Sequence, residues 1–172
     1  MALFNRRRLD GLDEAVRTVV PLGPGERVLA WGLDAVTGAH VVATTHHLAH
    51  VDGAGELDWS RPWHEAEAGT WESESALLTV TWVDRSEPSR WTLPEPSLLQ
   101  QTLRERLQAS VVLADEFRTE RRRTVRVVIR QDLATGGLVE QVVPGKGADL
   151  TDPRVAAEAA GMLARLRSEV GL

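Results

Sequence analysis

Three histidines fall within five positions in VVATTHHLAHVDG, residues Val41 to Gly53: His46, His47 and His50. Only His40 and His64 stand elsewhere. Zinc takes imidazole nitrogen at about 2.0–2.1 Å, so a metal site requires these rings to converge on one point. On a straight strand His46 and His47 point to opposite faces, and His46 and His50 lie roughly 13 Å apart. A helix would set His46 and His50 one turn apart, but the flanking VVATT and AHV are strand-like. A tight turn is the remaining route to a metal or small-ligand site. The competing reading is a hairpin whose polar positions are histidine, with pH sensitivity in the imidazole range.

Other reactive chemistry is sparse. The chain has no cysteine, hence no disulfide, thiolate metal site or cysteine nucleophile. Gly145-Lys146-Gly147 lacks the glycine spacing and the Ser/Thr of a phosphate-binding loop, and His64-Glu65 is followed by no second histidine at zinc-protease spacing. Glu65 and Glu67 would share a strand face, but acid–base work needs an enclosing pocket as well. The expectation is a non-enzymatic protein without a cofactor.

Binding surfaces are better represented. Six tryptophans accompany two phenylalanines and no tyrosine. Trp31 and Trp82 sit on apolar strand faces and read as core. Trp59, Trp63 and Trp71 lie among acids and read as an exposed contact surface. From Asp52 to Glu87 nine acids face only Arg61 and Arg85. From Phe117 to Arg130 six arginines, among them Arg122, Arg126 and Arg130, face only Glu120. The basic stretch reads as a solvated strand face and loop, or as a contact for an acidic partner. A net charge of −5 and the lack of a recognised reading motif argue against nucleic acid as a partner.

The elements that must position these residues follow from periodicity. LDGLDEAVRTVV places Leu9, Leu12, Val16, Val19 and Val20 on one helical face. RVLAWGLDA, HVVATT and HLAHV read as strands with turns between them. Pro62 in WSRPW marks an edge or bend. SALLTVTWV alternates cleanly, with Ala76, Leu78, Val80 and Trp82 on one face. Ser97 is placed to cap a helix whose apolar residues run Leu99, Leu103, Leu107, Val111 and Ala114. TVRVVIR and LVEQVV form a hairpin, with Val125, Val127 and Ile129 inward and Arg126 and Arg130 outward. Asp152 and Pro153 then open a final helix with an apolar stripe from Val155 to Val170.

GERVLAWG, VVATTHHLAHVD and RPWHEAEAGTW together resemble bacterial pleckstrin-homology-like (PH-like) domains of the actinobacterial type, over about Gly23 to Glu116. The resemblance implies an antiparallel β-barrel capped by an amphipathic helix, and a binding or assembly role. Phosphoinositide-binding members carry basic residues between their first two strands. The loop here, LDAVTGAH, has Asp34 and no Lys or Arg, so phosphoinositide binding is not expected.

The expected protein is therefore α+β. Residues 1–22 form an N-terminal helix, 23–117 the PH-like domain, and 118–172 a β-hairpin and helix packed on the same domain. Its expected function is protein–protein contact or self-association, with metal or ligand binding at the histidine turn as the alternative. The N-terminus has no apolar stretch behind its arginines, and no run reaches the roughly 18 apolar residues of a membrane span. A cytoplasmic location is expected.

Overall fold

The computed structural model describes residues 11–95 and 97–171. Leu9, expected on the first helix, and Pro96, expected just before the second, lie outside the described residues. The chain is α+β, with three antiparallel sheets and three α-helices among the described residues. No described helix is long and apolar enough to cross a membrane.

The first sheet is a meander of β1 (Val28–Leu33), β2 (His40–Thr44), β3 (His47–Val51) and β4 (Leu57–Pro62). Both of its faces are covered. Val42, Ala49 and Val51 pack against Leu12, Val16 and Val20 of the segment around α1 (Glu14–Val19). Val41, Ala43 and Leu48 face the main core. A bulge between Val28 and Ala30 turns Val28 toward the α1 side and Ala30 toward the core. Asp13 starts α1, its carboxylate accepting from the Ala15 amide at 2.9 Å.

The second sheet contains β5 (Ala66–Glu72), β6 (Leu77–Trp82) and β7 (Ser89–Thr92). Leu78, Val80, Trp82 and Trp91 meet the first sheet in the main core. The expected closed barrel is not formed. β4 ends at Pro62, which has no amide to carry a ladder onward. A 3-10 turn, Trp63–Glu65, then separates β4 from β5. At the opposite corner the sheets touch through two bonds: Ala35 N–H to Thr92 O at 2.9 Å, and Thr92 N–H to Asp34 Oδ1 at 2.8 Å.

Helix α2 (Leu99–Ser110) lies across the open end, with Leu99 and Leu103 buried in the main core. The Ser97 hydroxyl accepts from the Leu99 amide at 3.2 Å. The helix stops at Ser110, shorter than its apolar spacing suggests. Val111 and Ala114 belong instead to a strand, β8 (Val111–Arg118). The β-branched pair Val111-Val112 favours extended backbone, and β9 offers it a full ladder from Val111 to Arg118.

The third sheet runs β10 (Leu138–Pro144), β9 (Thr124–Gln131), β8, with β9 central. Phe117, Val125, Val127 and Ile129 form a separate core with α3 (Pro153–Val170). Asp152 caps α3 by accepting from the Arg154 amide at 2.9 Å, and Pro153 takes its first position. The other face of β9 is turned toward the first two sheets. There Gln141 Nε2 donates to His64 O at 2.6 Å, and Leu133 packs on the main core.

Candidate functional site

The histidine stretch is a β-turn between β2 and β3. Thr44 Oγ1 accepts from the amides of His46 and His47 at 3.1 and 2.7 Å. This turn bends both imidazoles toward one carboxylate that the sequence analysis did not single out. Glu26 has a side chain only 1% exposed. Its Oε1 stands 2.9 Å from His47 Nδ1, and its Oε2 stands 3.8 Å from His46 Nδ1. Oε2 also accepts from the Gly23 amide at 2.8 Å, and Oε1 from the Thr44 hydroxyl. Burial pushes the Glu26 pKa up, but these bonds from Thr44, Gly23 and His47 outweigh it and hold the group below its ordinary range.

His50 does not join them. It lies on β3 against the rings of Trp59 and Trp91, with Nδ1 3.3 Å from Asp58 Oδ2. His40 packs on Trp31, and His64 sits in the 3-10 turn. Among the described residues no group of three or more ligating side chains is placed to hold a metal ion. Glu26 spends its oxygens on internal donors, so the turn works as a clasp between the Gly23–Arg27 loop and the β2–β3 turn. Glu26 was illegible because its partners lie 18 and 21 residues away.

The three tryptophans of the acidic stretch part company. Trp63 is 1% exposed and fills the gap between the first two sheets, its indole donating to Thr44 O at 3.0 Å. It is core, not surface. Trp59 is half-buried and meets Trp82 edge-on, with ring centres 5.2 Å apart. Trp71 alone of the three is exposed, at 38%.

Trp71 stands on β5, which pairs with β6 and, among the described residues, has no strand on its other edge. Alongside it, between β5 and α2, runs a cleft of about 150 Å³. Gly69, Thr70, Trp71, Leu78, Leu103 and Leu107 line it, with Gln100, Arg104 and Gln108 also on its wall. Gly69 permits this approach: a Cβ there would come within 2.1 Å of Leu103 Cδ2. The cleft thus joins an open strand edge, an apolar floor and an exposed indole.

The expected arginine face is also divided. Arg122 lies exposed in the β8–β9 turn, with a positive φ of 56°. Arg126 is half-buried on β9. Arg130, expected to face solvent, is 1% exposed. Alternation does put it opposite Ile129, but that face of the sheet is buried too, against α2 and β5. Its guanidinium donates to Ser110 Oγ at 2.9 Å and to Glu67 O at 3.4 Å. Burial and the neighbouring charge of Arg126 push its pKa down to about 10, with Glu67 pulling the other way.

In the loop between β1 and β2, Asp34 is turned inward. The residue is 3% exposed and accepts from the amides of Thr37 and Thr92 and the hydroxyl of Thr37. Burial raises its pKa, and these bonds overcome that and leave it lowered. No family model matches the chain, and neither does any curated protein or solved structure compared with it.

Proposed function

We propose that this chain is a non-enzymatic binding module on a PH-like plan, acting in the cytoplasm through contact with a protein partner. The cleft beside β5 carries the reading. An extended segment can add to an open strand edge through backbone hydrogen bonds, while an adjoining pocket selects its side chains. Here the pocket is apolar and Trp71 is exposed at its rim. Aromatic residues of this kind dominate the energetics of many interfaces. The PH-like plan is supported by the order of elements: a four-stranded meander, a three-stranded meander, then a helix packed between them. The histidine turn gives less support to ligand binding, since its imidazoles are directed at Glu26.

The test compares wild type with Trp71→Glu as affinity baits in an extract of the native host, read by mass spectrometry. Trp71 is exposed, so the variant should fold with an unchanged circular dichroism spectrum. Proteins retained by wild type and lost by the variant identify the partner. If Trp71→Glu retains the same proteins as wild type, the cleft is not the docking surface. Sedimentation of both forms separates self-association, which would appear as a concentration-dependent dimer abolished by the substitution.

A further inference from the structure

Arg130 is a buried cation without a paired carboxylate. Buried charges in proteins are ordinarily paired, because desolvating an ion is costly. No described carboxylate lies within ion-pairing distance of Arg130, and its Nε has no hydrogen-bond partner. Glu67, the nearest acid by its effect on the group, gives Arg130 its backbone oxygen rather than a paired carboxylate.

Two more arginines stand on the elements that form this joint. Arg126 shares the face of β9 with Arg130 and is close enough for its charge to disfavour protonation there. Arg106 stands one helical turn before Ser110, the residue that accepts from Arg130. The Arg106 Nε is likewise buried and unpartnered. Both residues are half-buried, whereas Arg130 is buried. The acids facing this group are Glu67 and Glu116, and Glu116 is exposed across the ladder from Arg126.

We propose that the joint between α2, β5 and β9 is an oxyanion site that takes a phosphate group, with Arg130 at its base and Arg106 and Arg126 at its mouth. Guanidinium presents paired donors that match a phosphate and holds its charge at any physiological pH. Three arginines against the carboxylates of Glu67 and Glu116 leave the group net positive, which suits an anion. The Ser110 hydroxyl adds a neutral partner at the base. Arg106, Ser110, Arg126 and Arg130 do not line the β5 cleft, and none of them belongs to the β1–β2 loop that carries Asp34.

The full-length protein would be titrated with inorganic phosphate at constant ionic strength, following thermal unfolding and calorimetry. Glycerol phosphate and acetate are run in parallel. A saturable rise in Tm with phosphate, absent with acetate, is expected. Arg106→Gln and Arg126→Gln should each weaken phosphate binding at least about tenfold, while Arg122→Gln, in the exposed turn, should keep wild-type affinity. Tighter binding of glycerol phosphate assigns the site to a phosphorylated molecule, and tighter binding of inorganic phosphate assigns it to the free ion. A shift no larger than sodium chloride produces at equal ionic strength overturns the proposal. Equal weakening by Arg122→Gln does so too, since it would mean diffuse charge attraction.

Discussion

Glu26 shows what one buried carboxylate does when its donors are local. Its folded pKa is lowered because bonds from Thr44, Gly23 and His47 outweigh the burial that raises it. Asp34 shifts in the same direction, with Thr37 and Thr92 as the main donors. A carboxylate with a depressed folded pKa contributes stability that is present above its unfolded pKa and lost as pH falls through the folded one. Urea unfolding of wild type should therefore weaken as pH drops below the ordinary Glu value of 4.5. Glu26→Gln should be less stable than wild type by about 1–3 kcal/mol at pH 7, and the gap should narrow toward pH 3. A gap of the same size at both pH values would show that the charge on Glu26 does not matter to the clasp.

Two glycines separate contact from propensity at the level of elements. Gly69 lies under α2, where an added Cβ would meet Leu103, itself 3% exposed. Gly69→Ala should cost about 1–3 kcal/mol by displacing Leu103 or the helix, and should reshape the cleft. Gly161 lies within α3, where an added Cβ meets nothing within 4 Å. Gly161→Ala should stabilise by about 0.5–1 kcal/mol through helix propensity alone. Chemical denaturation of the pair checks both signs, and destabilisation at both positions would mean that Gly161 has a packing role the structure does not show. The α3 boundaries were legible because Asp152 and Pro153 are local signals. The end of α2 was not, because Val111 and Ala114 fit helical spacing and only pairing with β9 makes them a strand.

The whole molecule is two packed bodies with a polar joint. All six tryptophans lie in the first two sheets and the 3-10 turn, and none lies beyond Trp91. α3, the longest helix described, belongs to the other body. Fluorescence and far-ultraviolet circular dichroism therefore weight the two bodies differently. Leu166→Ala, at a site 3% exposed in the α3 core, should cost about 2–5 kcal/mol. Because Arg130, Gln141 and Leu133 tie the bodies together, both signals should shift to the same lower midpoint. A fluorescence midpoint left at the wild-type value would mean that the third sheet and α3 unfold on their own. Arg167→Ala, which removes a surface pairing of exposed Arg167 with half-buried Glu140, should shift the midpoint far less than Leu166→Ala.

The sequence by itself determined what depends on neighbours along the chain. Alternation placed the strands, capping residues placed the start of α3, and Pro62 marked the break after β4. Composition excluded thiol chemistry, and the loop LDAVTGAH carries Asp34 with no Lys or Arg. The tertiary structure decided which faces are covered. A strand residue opposite an apolar row is exposed only if nothing packs on its own side, and no local pattern reports that. For this reason Arg130 and Trp63 are interior while Trp71 is exposed. It also decided which distant groups meet, since the convergence of His46 and His47 on Glu26, and of Arg130 on Ser110, follows from packing rather than spacing.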